Sequence, residues 1–184
     1  DCKAVVTVNK PAEIIAAEQA VVKGVSKGKT SLKFTWNKVD KAASYEVWMA
    51  KCGKKLKKVK TLGASKTNWR KKKLKRRTAY KFYVVAKDSS GNVISRSLTG
   101  HAITGNVRGR YTNAKSLSVS LSSINLNKGG TAKISATQKK AKKGKKLCKH
   151  AALLRYTSNT PAVATVDSNG NIKAVDEGSC TVNR

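Results

Sequence analysis

The stretch Tyr80-Lys81-Phe82-Tyr83-Val84-Val85-Ala86-Lys87 decides the fold class of this chain. Its alternate positions from Tyr80 to Ala86 are apolar, whereas Lys81 and Lys87 fall on the opposite side of the chain. The same period of two recurs in Leu32-Lys33-Phe34-Thr35-Trp36 and again from Tyr45 to Met49. This alternation, with one polar face, is typical of half-buried antiparallel strands.

Turn signals separate these strand-like stretches. They are Lys27-Gly28-Lys29, Asp88-Ser89-Ser90-Gly91-Asn92, Lys128-Gly129-Gly130 and Ser168-Asn169-Gly170. Short strands at a spacing of about 8–12 residues predict an all-β fold made of antiparallel sandwiches. The alternation lapses between Gly105 and Asn113, so we predict two tandem sandwich domains. The predicted segments are a leading strand over 1–10, a first domain over 11–105, a linker over 106–113 and a second domain over 114–184.

The charge of the chain is its most unusual property. Its 184 residues include 40 Lys and Arg against 9 Asp and Glu, which gives a net charge of +31. The two histidines, the few carboxylates and the four cysteines are scattered, so we expect no catalytic residues, no metal site and no cofactor. The charge favours an anionic partner such as a wall polymer, an acidic glycan or nucleic acid. No apolar stretch of 18 residues occurs, and we expect no membrane span.

The basic residues gather in three clusters beside predicted hairpins or loops. The candidate polyanion-binding residues are Lys54, Lys55, Lys57, Lys58, Arg70, Lys71, Lys72, Lys73, Lys75, Arg76, Arg77, Lys142, Lys143, Lys145 and Lys146. One interpretation is a solvated face that maintains solubility; the other is polyanion binding, because +31 exceeds what solubility requires. Lysine outnumbers arginine, which favours loose electrostatic adhesion over bidentate recognition. Trp69 within the second cluster could stack on a ligand or pack in the fold.

The four cysteines are Cys2, Cys52, Cys148 and Cys180. None belongs to a CxxC pair, which argues against a zinc knuckle. They are interpreted as small buried apolar residues, with disulfides as the alternative in an oxidising exterior.

The first domain resembles a fibronectin type III module. The residues that carry the resemblance are Leu32–Trp36, Ala43–Trp48, Leu74 and Tyr80–Ala86. In that family a tryptophan fills the space between the sheets and a tyrosine forms a corner, its hydroxyl tied to nearby backbone. The resemblance assigns these roles to Trp36 and Tyr80. The candidate structural core residues are Trp36, Tyr45, Leu74, Tyr80 and, in the second domain, Tyr156.

The second domain resembles a bacterial Ig-like module of group 2. The match runs through Leu154-Arg-Tyr156-Thr-Ser158, then Ala164-Thr-Val166-Asp-Ser-Asn-Gly170, and closes on Gly178-Ser-Cys180-Thr-Val182. The resemblance implies modules of secreted, surface-attached bacterial proteins, like those of Gram-positive gut anaerobes. It therefore implies an extracellular or cell-surface location, with a signal peptide removed.

The second domain stops where the family has one more strand, and a strand of that kind stands at the other end of the chain. The residues concerned are Val5, Val6, Thr7 and Val8, and Cys180, Thr181 and Val182. Residues 1–10 are a remnant of a preceding repeat, a strand donated to the second domain of another copy, or a strand that completes the domain within one chain. Donation pairs main-chain groups at an exposed edge and gives an open, head-to-tail filament. Cys2 and Cys180 would then be candidates for an intermolecular disulfide.

These observations predict a non-catalytic, extracellular structural or adhesive protein. The sharper hypothesis is a subunit of a surface filament or stalk, joined head to tail by strand donation. The alternatives are a polyanion-binding module and a spacer from a larger modular surface protein.

Overall fold

The computed structural model describes residues 3–8, 20–105, 107–108, 111–147 and 154–183. These residues form strands, turns and bends, and none of them lies in a helix, so the all-β fold class is confirmed. The chain divides into two compact units. The central unit contains Gln19–Ala114 and Lys140–Ala151, and the composite unit contains Asp1–Glu18, Lys115–Lys139 and Ala152–Arg184.

The strands are numbered in chain order. The first nine are β1 (Lys3–Val8), β2 (Val22–Ser26), β3 (Leu32–Trp36), β4 (Ser44–Lys51), β5 (Lys57–Gly63), β6 (Asn68–Lys71), β7 (Ala79–Lys87), β8 (Val93–Arg96) and β9 (Gly100–Ile103). Next come β10 (Val107–Arg108), β11 (Tyr111–Thr112), β12 (Ala114–Val119), β13 (Ser123–Leu126), β14 (Thr131–Lys133) and β15 (Ala136–Lys140). The last are β16 (Lys146–Leu147), β17 (Thr157–Ser158), β18 (Ala164–Val166), β19 (Asn171–Ala174) and β20 (Gly178–Asn183).

The central unit has two main antiparallel sheets. One has the order β2-β3-β6, and the other has the order β5-β4-β7-β8, with β9 also paired to β7. The alternating apolar residues of both sheets point into one buried cluster. That cluster includes Leu32, Phe34, Trp36, Tyr45, Val47, Tyr80, Phe82, Val84 and Ala86. The period of two in the sequence therefore gives a single apolar layer between the sheets.

Phe82 occupies the tightest part of this layer. Its ring centroid lies 4.7 Å from that of Phe34. A Cβ atom added at Gly24 would overlap Phe82 Cζ, and one added at Gly100 would lie 2.6 Å from Phe82 Cε2. Because real Cβ atoms do not approach so closely, the ring requires a glycine on each of these two neighbouring strands.

The region predicted as a linker contains paired strands. The strands β10 and β11 pair antiparallel, and β11 pairs parallel with β16 through Tyr111↔Lys146 and Thr112↔Leu147. The Ala141 N–H also donates to the Asn113 carbonyl at 2.9 Å. Residues 140–151 accordingly group with the central unit, which differs from the predicted domain boundaries.

The composite unit combines both ends of the chain in one fold. Its sheets have the orders β13-β1-β20-β17 and β14-β19-β18, and β12 pairs with β15. Its buried apolar cluster is Ile134, Val163, Ala164, Ile172, Ala174, Cys180 and Val182.

Strand β1 lies in the middle of a four-stranded sheet. It runs antiparallel to β20 from Lys3↔Asn183 to Val8↔Gly178, and parallel to β13 from Val5↔Ser123 to Val8↔Leu126. The sequence leaves three origins open for residues 1–10: a preceding repeat, a strand donated to another copy, and completion within one chain. In the structure the donor is the N-terminal strand of the same chain. The physical reason is that both sides of β1 find a backbone partner within the chain.

Candidate functional site

The predicted strand-pairing residues come together in one ladder. Val6 lies opposite Cys180, Val5 opposite Thr181, Thr7 opposite Ser179 and Val8 opposite Gly178, while Val182 lies opposite Ala4. The acceptor strand is also held from its other side, because the Thr181 N–H donates to Asn159 Oδ1 at 2.7 Å. Cys180 is buried in the apolar cluster of the composite unit. Burial raises the pKa of its thiol, against a hydrogen bond with Ser158 that lowers it.

The predicted basic residues of the first two clusters lie either at one end of the central unit or on the strands β5 and β6. That end is formed by four loop segments, residues 27–30, 52–56, 72–78 and 104–105. Hydrogen bonds hold these segments together. The Leu74 N–H donates to the Thr30 carbonyl at 2.8 Å, the Cys52 N–H to the Ala79 carbonyl at 3.0 Å and the Gly105 N–H to the Gly28 carbonyl at 3.2 Å. We call this end of the sandwich the basic pole.

The basic pole carries cations from every one of its longer loops. They are Lys27, Lys29, Lys54, Lys55, Lys72, Lys73, Lys75, Arg76 and Arg77. No Asp or Glu occurs in the four segments. Asp40 and Asp88 belong to the opposite end, where the Ala43 N–H donates to the Lys87 carbonyl at 2.8 Å. Alternate loops of an antiparallel sandwich lie at opposite ends. The loops at the other end carry both signs of charge, with Lys38, Lys41 and Lys66 beside Asp40 and Asp88.

The loop 72–78 is fixed although five of its seven residues are charged. The Lys75 N–H donates to the Tyr80 hydroxyl at 3.0 Å, which is the tyrosine corner. The Thr104 hydroxyl donates to the Lys75 carbonyl at 2.7 Å and accepts from the Thr78 N–H at 3.0 Å. Lys73 and Arg77 adopt left-handed backbone conformations, with φ of 57° and 48°. Residues other than glycine are disfavoured at such φ values, so the presence of Lys73 and Arg77 there costs conformational free energy.

The remaining residues of the first two clusters lie on strands. Lys57 and Lys58 lie on the edge strand β5 and are exposed. Arg70 lies on β6, where its Nη2 donates to the Lys27 carbonyl at 2.7 Å and to Ser31 Oγ at 2.9 Å. Lys71 Nζ lies 5.9 Å from the centre of the Trp69 ring. That ring is partly buried and stacks on Phe34 at 6.0 Å, so it packs against the core.

The residues of the third cluster lie on a separate loop of the central unit. Lys142, Lys143 and Lys145 lie in the turn between β15 and β16, and Lys146 begins β16. Lys145 is partly exposed and the other three are exposed. They surround Gly144, whose φ of 76° allows the tight turn.

Glu46 is a site residue that the sequence reasoning missed. It lies on the outer face of the β5-β4-β7 sheet and is buried. Its Oε1 is 3.0 Å from Lys58 Nζ and 3.4 Å from Lys87 Nζ, and its Oε2 accepts from Trp48 Nε1 at 3.1 Å. Burial alone would raise the pKa of Glu46. The hydrogen bonds from Lys58 and Trp48 and the charges of Lys58 and Lys87 outweigh that effect and lower the pKa.

The candidate core residues are distributed between the two units. Trp36, Tyr45 and Tyr80 are buried, while Leu74 is partly buried against the same cluster. The Tyr45 hydroxyl accepts from the Val39 N–H at 2.9 Å. Tyr156 is partly buried against the core of the composite unit.

Other predicted features concern metals, membranes and cysteines. Within the described ranges, no group of three or more His, Cys, Asp and Glu residues is arranged to hold a metal ion. Over the same ranges, no helix has the length and apolar character to cross a membrane. Cys2 and Cys148 lie outside the described residues, and so does the proposed Cys2–Cys180 disulfide.

Residues 113–183 match the model of the bacterial Ig-like domain (group 2) family. The match confirms the resemblance expected from the motif around Tyr156 and Gly170. No curated protein matches the chain.

The solved structures that are similar to this chain include fibronectin type III domains, the family that the first domain resembles. The fn3 domain of human contactin 1 is 20% identical with a TM-score of 0.42, over 54% of this chain and 85% of that one. The FN3 domain of human collagen XX is 17% identical with a TM-score of 0.41, over 52% and 99%. The pectate lyase PelI from Erwinia chrysanthemi is 14% identical with a TM-score of 0.41. That match covers 45% of this chain and 28% of the lyase.

Proposed function

We propose that this chain is a non-catalytic structural module of an extracellular bacterial surface protein, and that copies join head to tail by exchanging β1. The observation that carries the proposal is the position of β1 between β13 and β20. The bacterial Ig-like domain is thereby completed by a strand that precedes the whole central unit in sequence. Exchange between copies would preserve each main-chain pair and change only which copy supplies the strand.

The first support is the number of pairs that depend on β1. All six of its residues pair with β20, and four of them also pair with β13. Without β1 both neighbouring strands would expose backbone donors and acceptors at a sheet edge. A composite unit whose own strand is withdrawn therefore has a strong preference for an equivalent strand from another copy.

A complementation experiment tests the exchange. Val6→Pro damages the donor strand, because proline cannot supply its N–H to the ladder. Val182→Pro damages the acceptor strand, because the Thr181 N–H points to Asn159 and the next N–H along the strand therefore points to β1. Neither variant completes a composite unit by itself. If strands exchange, the Val182→Pro chain donates its intact β1 to the Val6→Pro chain, and an equimolar mixture gives a 1:1 dimer that cannot grow.

The readouts separate exchange from damage to the fold. Light scattering after size-exclusion chromatography measures mass, with each variant alone at the same total concentration as the control for aggregation. The fluorescence of Trp36, Trp48 and Trp69 reports folding of the central unit, because the chain's three tryptophans lie there. Polymers of the unaltered chain and a dimer in the mixture support the proposal. Monomers in both samples contradict it. The remaining interpretation is then a spacer module whose composite unit is completed by its own β1.

A second candidate function is polyanion binding. The basic pole favours it, because its cations are concentrated at one end of the central unit and face no carboxylate within the pole segments. This function is compatible with a surface module, since cell-wall polymers and acidic glycans are polyanions.

A further inference from the structure

We propose that the basic pole is the binding surface of this module for a linear anionic glycopolymer, whose charges are carboxylate or phosphate groups. The proposal deepens the second candidate function by assigning it a site and a ligand class. It does not depend on exchange of β1.

The first argument is the conformation of Lys73 and Arg77. Both have positive φ values at which glycine is the favoured residue, and both lie in a loop of the pole. A glycine at either position would relax the backbone and remove a cation from a chain that already has a charge of +31. Lys41 at the opposite end has a similar φ, of 59°, but the loop 72–78 has two such cations. We infer from this pairing that their charges serve a purpose other than stability.

The second argument is that the backbone under these cations is held in place. Tyr80 fixes the N–H of Lys75, Thr104 fixes its carbonyl, and Thr78 Oγ1 donates to the Arg76 carbonyl at 2.8 Å. The Leu74 N–H is tied to Thr30 in the neighbouring turn. The charges are therefore presented from a backbone that loses little freedom on binding, which lowers the entropic cost of association.

The third argument concerns the class of ligand. The four pole segments contain no aromatic residue. Tyr80 is buried beneath the loop, and Trp69 on the adjoining strand packs against Phe34. Proteins that bind single-stranded nucleic acid combine basic grooves with aromatic rings on which bases stack. A surface of lysines with two arginines and no ring suits a flexible chain of separated anions instead.

A pair of double variants tests the site. Lys73→Gly/Arg77→Gly removes two charges from the pole and relieves both strained residues. Lys41→Gly/Lys66→Ala is the matched control, because it removes two charges from loops at the opposite end. Lys41 also has a positive φ, of 59°, so the control includes one relief of strain.

The probes are a poly(glycerol phosphate) oligomer, a hyaluronan decasaccharide, a 15-nucleotide oligo(dT) and a 15-base-pair DNA duplex. Affinity is measured by fluorescence anisotropy over a range of salt concentrations. For the pole variant we expect about tenfold weaker binding of at least one glycopolymer, with the salt slope lower by about 1–2. We expect the control to bind within about twofold of the unaltered chain. The melting temperature should rise by about 2–4 °C in the pole variant, because its strained residues are replaced by glycine.

The outcomes distinguish the site from the function. Binding of a glycopolymer that both variants weaken equally overturns the site, because net charge then explains the interaction. Binding of neither glycopolymer by the unaltered chain overturns the polyanion-binding function together with the site. DNA binding that depends on the pole as strongly as glycopolymer binding overturns the ligand class. The hyaluronan and poly(glycerol phosphate) arms tell a carboxylate ligand from a phosphate ligand.

Discussion

Val6 of the first strand lies opposite Cys180 of the last strand, within the ladder that runs from Lys3↔Asn183 to Val8↔Gly178. A buried residue of the Ig-like domain thus has its main-chain partner at the far end of the chain. The stability of the composite unit is tied to this pairing. The stability of the central unit does not depend on this pairing, because that unit has its own sheets and its own buried cluster.

Removal of residues 1–8 should therefore expose Cys180 and leave the central unit folded. In the full chain burial raises the pKa of the Cys180 thiol, so the reactive thiolate is scarce and shielded. We expect slow reaction of Cys180 with a disulfide reagent in the full chain and reaction at least tenfold faster after the deletion. The same rate is measured in a Cys180→Ala chain and subtracted, which removes the contribution of the other cysteines. Unchanged protection of Cys180 in the shortened chain would contradict the role given to β1.

The contact of Phe82 with two glycines gives a second prediction. Gly24→Ala and Gly100→Ala should each destabilise the central unit by about 1–3 kcal/mol, because each added Cβ overlaps the ring. Gly63→Ala is the control, since a Cβ there meets nothing within 4 Å. Urea unfolding followed by tryptophan fluorescence measures the difference. Phe82→Leu in the Gly100→Ala background should recover part of the lost stability, because the smaller side chain leaves room for the Cβ. If it does not, the destabilisation comes from the backbone at residue 100 and not from overlap with the ring.

Much of the fold could be predicted from alternation and turn residues. The apolar positions of Tyr80–Ala86 point into the core because strand side chains alternate, and no other information is required. The turn residues Asp88 and Asp167 likewise close hairpins through their own side chains, each accepting an N–H from the asparagine four residues later at 2.8 and 2.9 Å. Turns of this kind can therefore be predicted from the residue types alone.

The origin of the completing strand could be predicted only in part. The residues Val5–Val8 and Cys180–Val182 are both recognisable in the sequence as strands that could pair with each other. Pairing within one chain and pairing between copies use the same residues in the same register, so sequence patterns do not distinguish them.

The basic pole and Glu46 needed the structure. Lys27 and Lys29 lie far in sequence from Lys73, and only the order of loops at each end brings them to one surface. Nothing in the sequence marks Lys73 and Arg77 as left-handed residues, because glycine is the usual signal for that conformation. Glu46 occupies a polar position of strand β4, and its burial depends on cross-strand neighbours that a local pattern does not reveal.

The hydroxyls of Tyr45 and Tyr80 should differ in importance. Tyr45 accepts from the Val39 N–H, and Val39 is fully buried, whereas Tyr80 accepts from the N–H of the exposed Lys75. Tyr45→Phe leaves a donor that water cannot reach, and we expect a loss of about 1–3 kcal/mol. Water can replace the hydroxyl above Lys75, so Tyr80→Phe should lose about 1 kcal/mol or less. Equal losses in denaturant unfolding would argue against this difference in solvent access.

Glu46 should make the stability of the central unit depend on acidity. Its pKa is lowered in the folded chain from an ordinary value of 4.5, so as the pH falls the unfolded chain takes up the proton first. The stabilisation is therefore complete above about pH 4.5 and is lost as the pH falls through the lower pKa of the folded chain.

At pH 7 we expect Glu46→Gln to cost about 1.5–3 kcal/mol, because it removes charge-assisted hydrogen bonds and leaves Lys58 beside Lys87. The difference from the unaltered chain should shrink as the pH is lowered from 5 to 3, measured by urea unfolding at each pH. Asp176→Asn provides the control: its pair with Lys128 is exposed, so its effect should stay below about 1 kcal/mol. A gap between the Glu46→Gln variant and the unaltered chain that is the same at pH 3 and pH 7 would show that the charge of Glu46 is not what stabilises the sheet.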